Sequence, residues 1–309
     1  MGLDQILALL QTALELGLIS SLTVLALFLS YSMLNVCDLS TDGCFTLGAV
    51  VGAAVAISGH PYLSIPAAML AGVASGFITA ILQTKMGVNS LLAGIIVNTG
   101  LYSVNIAIMG GSSILNMNKA DTVFTIVKYA LAKINMSEQY KLAVAAAAVI
   151  IIAVLLGLFL KTRLGLAIRA TGDNPDMVRA SSINTAFTIT LGLCISNSMT
   201  ALSGAVLAQY QRTADINLGT GMVVIGLASL IIGETLFRRG GVGKKAVGAL
   251  MGSIIYRFVI AVALRLDLPS ECLKLISAVI VALAIAGPYV SRRLAEDRRR
   301  RAARQKGDR

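Results

Sequence analysis

Apolar residues occur along this chain in long continuous stretches rather than in alternation with polar ones. Residues 142–160, for instance, include no charged side chain, and about 20 such residues cross the hydrocarbon core of a bilayer as one helix. Backbone amides in lipid must be satisfied within the structure, which leaves helices or the strands of a closed barrel. Continuous hydrophobicity favours helices. The pattern therefore predicts the fold class all-α, as a polytopic bundle of transmembrane helices.

Polar residues bound nine apolar stretches, so we expect about 8–9 membrane spans. The stretches lie at about 14–34, 43–58, 62–83, 90–109, 141–160, 187–208, 220–236, 246–264 and 272–290. Between the second and third stretches, Gly59 and His60 precede Pro61, a residue suited to the first position of a helix. We expect a tight turn there. We also expect a short interfacial helix within the longer connection 110–140.

Charged residues are scarce and unevenly placed, which sets the expected orientation. They make up 13% of the 309 residues, against about a quarter in average globular domains. If the N-terminus is outside and the C-terminus cytoplasmic, the inner segments hold 18 lysines and arginines and the outer segments hold seven. Because basic residues concentrate in cytoplasmic loops, we predict that orientation.

A basic tail follows the last apolar stretch. Residues 292–309 hold nine of the 26 basic residues, in a chain whose net charge is +11. Such a tail directly after a span is typical of a cytoplasmic anchor that faces anionic lipid. No aromatic residue is interleaved in the tail, so we expect no nucleic acid partner. We divide the chain into a transmembrane domain at 1–291 and this tail at 292–309.

The predicted cytoplasmic segment 161–186 carries the most informative local motif. Asn174 has a side chain suited to cap a helix, Pro175 suits the first helical position, and Asp176 complements the positive end of a helix. The motif predicts a short helix from Pro175 to about Ser182.

Two glycines of the same segment, Gly165 and Gly172, allow sharp bends that would lay this helix along the membrane surface. A helix so placed can dock into a cleft of a partner protein and pass motion to the spans. A plain surface loop that contains a capped helix is the alternative.

Residues 35–42 form a polar stretch between two apolar ones. Its acidic residues, Asp38 and Asp42, have two possible interpretations. They are ordinary charges of an inner loop, or they belong to a broken helix that dips into a translocation path, where irregular backbone is tolerated against protein or water. No basic residue accompanies them, which is unusual for an inner loop.

Other polar residues fall inside predicted spans. Glu234 and Arg257 carry charges at membrane depth, where such groups pair, face the protein interior or line a pathway. A structural pair between them is the simpler hypothesis. Asn98 and Thr99 either line a path or bond to a neighbouring helix.

Nothing in the sequence indicates catalysis. Residues 238–245 superficially suggest a phosphate-binding loop, but Arg238 stands where the motif needs its first glycine and Lys245 where it needs Ser or Thr. His60 is the one histidine and the four cysteines are scattered, so neither a metal site nor a nucleophile with its base is indicated. We expect no enzyme activity and no cofactor.

Three stretches resemble one known family. Residues 169–175, Arg-Ala-Thr-Gly-Asp-Asn-Pro, look like the cytoplasmic coupling segment of ABC transporter permeases of the branched-chain amino acid and ribose type. Residues 38–43, Asp-Leu-Ser-Thr-Asp-Gly, and residues 203–205, Ser-Gly-Ala, also fit that family. Within it, the chain most resembles permeases named for tryptophan or tyrosine transport.

The resemblance implies a permease of the bacterial inner membrane that works with two cytosolic ATPase subunits, a second permease subunit and an extracytoplasmic binding protein. We expect coupling to the ATPase through Arg169, Gly172, Asn174, Pro175, Asp176 and Arg179. We expect the path to include Asp38, Ser40, Asp42, Asn98, Thr99 and Glu234. The expected solute is an amino acid, with a sugar or nucleoside as alternatives, and an ion-coupled secondary transporter is the alternative function.

Overall fold

The computed structural model describes residues 3–132, 140–237 and 241–265, together with positions 275, 278, 279, 282 and 286. Most of the predicted span at 272–290 therefore lies outside the described residues, as does the whole basic tail 292–309. The predicted orientation of the termini stays a prediction for the same reason.

The described part of the chain is a bundle of eleven helices with one small sheet. The helices are α1 (Leu3–Leu27), α2 (Thr41–Ile57), α3 (Pro61–Thr84), α4 (Ser90–Ile108), α5 (Val123–Ala132), α6 (Tyr140–Phe159), α7 (Arg163–Asp173), α8 (Pro175–Ala180), α9 (Thr185–Gln211), α10 (Met222–Leu236) and α11 (Val242–Arg265). A π-helical turn, Phe28–Met33, extends α1. Strands β1 (Ile114–Asn116) and β2 (Thr213–Asp215) pair antiparallel, with Leu115 opposite Ala214. The helical bundle agrees with the all-α prediction, and the sheet is an addition to it.

Among the described residues, six helices are long and apolar enough to cross a membrane, namely α1 with its extension, α3, α4, α6, α9 and α11. Helices α2 and α10 have 17 and 15 residues. Their lengths are about 25 and 22 Å, short of a hydrocarbon core of about 30 Å. The predicted spans 43–58 and 220–236 coincide with these two short apolar helices, so the count of 8–9 spans stays a prediction.

Helix α9 forms the centre of the bundle, and its residues from Ser196 to Gln209 are buried. Small residues bring its neighbours close, because a Cβ added at Gly48 of α2 would collide with the backbone of Ala201. A Cβ added at Gly252 of α11 would likewise collide with the backbone carbonyl of Ser229 on α10. The sequence has three G-x-x-x-G stretches, at 48–52, 72–76 and 248–252, and all three make helix–helix contacts.

The two ends of the bundle carry different structures. At one end, α7 contacts the end of α1, where Gly172 meets the carbonyl of Met33; we call this the α8 end. At the other end, the backbone N–H of Val123 in α5 donates to Gln209 Oε1 at 3.0 Å. Gln209 lies at the end of α9, just before strand β2, so α5 and the sheet lie at the same end of the bundle, which we call the sheet end. Helix α5 agrees with the short helix predicted within 110–140.

The two glycines of segment 161–186 are not at its bends. Gly165 and Gly172 both lie inside α7, with neither at a turn. A Cβ at Gly165 would collide with the backbone of Phe159 and Leu160, and one at Gly172 with that of Met33. The glycines are therefore sites of close backbone approach, and the bend prediction is wrong.

Candidate functional site

The chain leaves its helical path between the first two helices. Asn35 has a left-handed φ of 56°, and α2 starts at Thr41. Within this break Asp38 is only 2% exposed. Its carboxylate accepts hydrogen bonds from the Ser40 backbone N–H at 2.8 Å and from Asn197 Nδ2 at 2.9 Å. Because Asn197 lies near the middle of α9, the break lies deep within the bundle.

This burial bears on the first interpretation of the polar stretch, that of ordinary inner-loop charges. Asp38 is enclosed by protein and bonded to a central helix, so it is not an ordinary inner-loop charge. Ser40 shares the enclosure, since its hydroxyl accepts from Asn197 Nδ2 and from Thr79 Oγ1, each at 3.3 Å. The break is an irregular segment in which the side chains of Asp38 and Ser40 are bonded to protein, the setting in which irregular backbone is tolerated at membrane depth.

Asp42 links two short helices. It lies in the first turn of α2, and its carboxylate accepts from the backbone N–H groups of Gly221 at 2.9 Å and Val223 at 2.8 Å. Those groups lie at the N-terminus of α10, where unpaired N–H groups and the helix dipole favour a negative charge. The start of α10 is thereby held against the start of α2.

A cavity of about 400 Å³ opens where these two helices begin. Most of its lining residues have polar side chains, and they come from the start of α2, from α4 and from the connection between β2 and α10. The lining residues are Asp42, Gly43, Thr46, Asn98, Thr99, Tyr102, Ser103, Asn105, Ile216, Asn217 and Thr220. Three predicted path residues, Asp42, Asn98 and Thr99, therefore meet at one cavity, which we call the break cavity.

Helix α4 contributes three lining residues that the sequence did not reveal, Tyr102, Ser103 and Asn105. Asn98, Tyr102 and Asn105 follow one another at helical spacing and lie on one face of α4. Asn105 Nδ2 donates to the carbonyl of Gly43 at 3.3 Å, while its buried Oδ1 has no partner among the described residues. The i, i+4, i+7 pattern of polar side chains in an apolar span was the signal that could have revealed this face.

Asn197 was also missed. It joins Asp38 to α9 and its Oδ1 has no partner in the described part of the chain. An amide in the middle of a predicted span, flanked by Ser196 and Ser198, is the feature that could have identified it, because polar groups at membrane depth face other protein.

Glu234 lies away from the other predicted path residues. Its carboxylate accepts a hydrogen bond from Ser32 Oγ at 2.6 Å. Glu234 lies about 18 Å along α10 from the N-terminus of that helix, where Asp42 is bonded. Arg257 bonds through Nε and an Nη atom to Ser20 Oγ, at 2.9 and 2.7 Å. Among the described residues the single ion pair is Arg179–Asp176, so the predicted pair between Glu234 and Arg257 is wrong.

The α8 end carries the predicted surface helix. Asn174 Oδ1 accepts from the backbone N–H groups of Asp176 and Met177, both at 3.1 Å, and Pro175 occupies the first helical position. Arg179 donates to Thr185 Oγ1 at 3.1 Å, which ties the end of α8 to the start of α9. The capped helix agrees with the prediction from Asn174 and Pro175.

Helix α7 connects α8 to the bundle. Through Gly172 it contacts the end of α1, and Thr171 Oγ1 lies 2.9 Å from Thr188 Oγ1 of α9. Arg169 lines a cavity together with Ser32, which in turn bonds to Glu234. Helix α7 thus links α8 to the end of α1 and to α9.

Residues 9–286 match the family described as "Branched-chain amino acid transport system / permease component". The chain belongs to this permease family. The permease is thus a multi-pass membrane component of a transport system, and the family is one of transporters rather than of catalytic enzymes.

Several named proteins are similar to the permease. The tyrosine transport system permease protein of Clostridioides difficile (strain R20291) is 37% identical over 271 residues, covering 87% of this chain and 88% of the relative. An uncharacterised protein of Rickettsia prowazekii (strain Madrid E) is 31% identical, with 89% and 96% covered. The ribose import permease protein RbsC of Escherichia coli (strain K12) is 26% identical, with 80% and 75% covered. No solved structure shows a significant match.

Proposed function

We propose that this chain is the membrane-spanning permease subunit of an ABC importer in the inner membrane of a bacterium. Its transmembrane domain, residues 1–291, forms the path for a small solute, and its basic tail, residues 292–309, is cytoplasmic. The solute is delivered by an extracytoplasmic binding protein, and partner ATPase subunits supply the energy.

The observation that carries this proposal is the break cavity. Two short helices begin at it, and Asp42 joins them. Discontinuous helices that meet inside a bundle are a recurrent way to build a solute site, because their ends offer backbone groups that full helices keep paired. Asp38 and Ser40, bonded to Asn197, hold the irregular backbone behind the cavity, so in this proposal they support the path from behind instead of lining it.

The α8 end couples the path to the ATPase subunits in this proposal. We assign α8 as the element that docks into a cleft of the ATPase, with Asn174, Pro175 and Asp176 forming its start and Arg179 its end. Arg169 and Gly172 lie on α7, which contacts α1 and α9. ATP-driven closure of the partner subunits would push α8, and Glu234, bonded to Ser32 at the same end of the bundle, would move with α10 as the path opens.

A second copy of the permease completes the path in this proposal. Thr99, Tyr102 and Ser103 are exposed on α4, next to the break cavity. Polar side chains that face lipid are costly, so such a stripe is expected against protein or a water-filled path. We therefore expect the α4 faces of two subunits to enclose the path.

The proposed solute is an amino acid. The named similarity to a tyrosine permease supports this choice, and a cavity lined by amides, hydroxyls and one carboxylate suits a small polar molecule. The similarity to a ribose permease keeps a sugar or nucleoside as the alternative.

Gentle detergent purification of the tagged chain from its native membranes tests the proposal. A soluble ATPase that co-purifies in stoichiometric amount, identified by mass spectrometry, is the expected result. A chain that purifies alone, and moves solute into liposomes on an ion gradient without ATP, would instead establish an ion-coupled secondary transporter.

A further inference from the structure

Two neighbouring cavities at the α8 end play no part in the proposed solute path. One, of about 290 Å³, is lined by Ser32, Met33, Arg169, Asp173, Gly241, Val242 and Lys245. The other, of about 260 Å³, is lined by Val154, Gly157, Leu158, Leu160, Lys161, Arg169, Val242, Gly243 and Ala246. They share Arg169 and Val242, so together they form one cleft between the start of α11, the end of α6 and α7.

The polar part of this cleft is positively charged. Arg169, Lys161 and Lys245 contribute three cations against the single carboxylate of Asp173. Within the described part of the chain, none of these three cations has an acidic partner within 4.0 Å. Unpaired cations gathered at one place favour an anionic ligand.

The remaining part of the cleft is apolar and extends along the membrane-spanning helices. Val154 and Leu158 of α6 are exposed and lie on one side, and Val242 and Ala246 of α11 lie on the other. A Cβ added at Gly157 would meet no atom within 4 Å, so the groove is open at that glycine. An apolar groove that begins at a cationic site is complementary to an amphiphile with an anionic headgroup.

We propose that this cleft binds an anionic phospholipid, with its phosphate between Arg169, Lys161 and Lys245 and one acyl chain in the groove beside Gly157. Basic pockets between transmembrane helices at the cytoplasmic face suit such headgroups. The inference rests on the proposed function only for the assignment of the α8 end to the inner leaflet. A lipid bound there joins α7 to α11 and so links the coupling segment to the bundle.

Native mass spectrometry of the purified permease, with palmitoyl-oleoyl phosphatidylglycerol or phosphatidylcholine added, tests the proposal directly. We expect at least one phosphatidylglycerol molecule to be retained in preference to phosphatidylcholine. Lys161→Gln and Lys245→Gln each lower that affinity about fivefold, the factor that corresponds to about 1 kcal/mol per basic residue near an anionic surface. Lys85→Gln removes an exposed charge outside the cleft and should leave the affinity unchanged.

The groove is tested by Gly157→Leu, whose side chain occupies the space proposed for the acyl chain. We expect this variant to lose phosphatidylglycerol retention while it keeps the melting temperature of the parent protein. Gly100→Leu is the matched control, because a Cβ at Gly100 of α4 also meets no atom within 4 Å but lies outside the cleft. Its lipid retention should match that of the parent.

Equal retention of the two lipids, or unchanged retention in Gly157→Leu and the lysine variants, would overturn the proposal. Displacement of phosphatidylglycerol by millimolar inorganic phosphate would also overturn it, in favour of a site for a soluble anion. These readouts need neither ATPase nor solute, so they remain separate from any failure of the transport proposal.

Discussion

At the scale of single residues, Asp42 has the clearest structural role. Its carboxylate accepts two backbone N–H groups at the start of α10 while the residue itself belongs to the first turn of α2. One side chain therefore fixes the relative position of two helices that begin at the break cavity. Hydrogen bonds to a charged group contribute about 1.5–3 kcal/mol each to stability.

We predict that Asp42→Asn destabilises the permease by about 1–3 kcal/mol, because the amide keeps one acceptor and loses the charge. Thermal unfolding in detergent measures this as a lower melting temperature. Asp215→Asn is the control, since Asp215 accepts the backbone N–H of Asn217 in an exposed turn, and its effect should stay within about 0.5 kcal/mol. Equal melting temperatures for the two variants would contradict the role given to Asp42.

A second prediction at this scale concerns Gly172. Alanine there places a Cβ against the carbonyl of Met33, and such overpacking costs about 1–3 kcal/mol. Gly172→Ala should lower the melting temperature. Gly100→Ala, with no atom within 4 Å of the new Cβ, should leave it unchanged or raise it, since alanine is the better helix former. A Gly172→Ala protein as stable as the parent would mean that α7 is not packed on α1 as described.

At the scale of elements, α8 is a short helix held at both ends. Asn174 caps its start, and Arg179 bonds to Thr185 at the start of α9. Met177 is 59% exposed while Val178 is buried, so one face packs on the bundle and the other is free for a partner. This division suits an element that receives movement at one face and passes it on at the other.

Replacing Pro175 and Arg179 by alanine should abolish ATP-dependent transport while the protein still folds. The expectation of folding rests on the exposed Arg179–Asp176 pair, which contributes only about 0–1 kcal/mol. Uptake and melting temperature are measured on the same preparation. Arg163→Ala, which removes an exposed charge from the start of α7, is the control and should transport normally. Intact ATP-dependent transport in the double variant would exclude α8 as the coupling element.

The local signals of the sequence predicted some elements well and others poorly. Asn174 and Pro175 predicted α8 because a helix cap is made within a few residues. The polar run 35–42 indicated a break but not its depth, because depth depends on Asn197, far away in sequence. The contact of Gly172 with Met33 also joins residues far apart in sequence. The sequence therefore indicates a bend at Gly172, where the structure has close packing. Glu234 and Arg257 were paired on charge alone, whereas Ser32 and Ser20 supply their hydrogen bonds.

At the scale of the whole molecule, α1 and α9 run antiparallel. Glu15 Oε2 accepts from Tyr210 Oη at 2.8 Å near the sheet end, and Met33 meets Gly172 at the α8 end. The beginning of α1 therefore lies at the end opposite to α8. If α8 faces the cytoplasm, the N-terminus is outside, which is the orientation that the distribution of basic residues predicts.

Labelling of engineered cysteines tests that orientation. In a background without native cysteines, His60→Cys lies at the turn before α3 and Met177→Cys on the exposed face of α8. A membrane-impermeant maleimide added to spheroplasts should label the first variant, and the second only after the membrane is opened. The reverse pattern would invert the topology and move the proposed coupling helix to the outer face.

In the proposed function, this chain carries a solute across the membrane on the energy of a partner ATPase. Uptake of radiolabelled tyrosine into proteoliposomes that contain the permease, the co-purified ATPase and the binding protein tests it most directly. We predict uptake with ATP, none with a non-hydrolysable analogue, and none when Pro175 and Arg179 are both replaced by alanine. Uptake that follows an ion gradient and does not depend on ATP would exclude an ATP-driven importer.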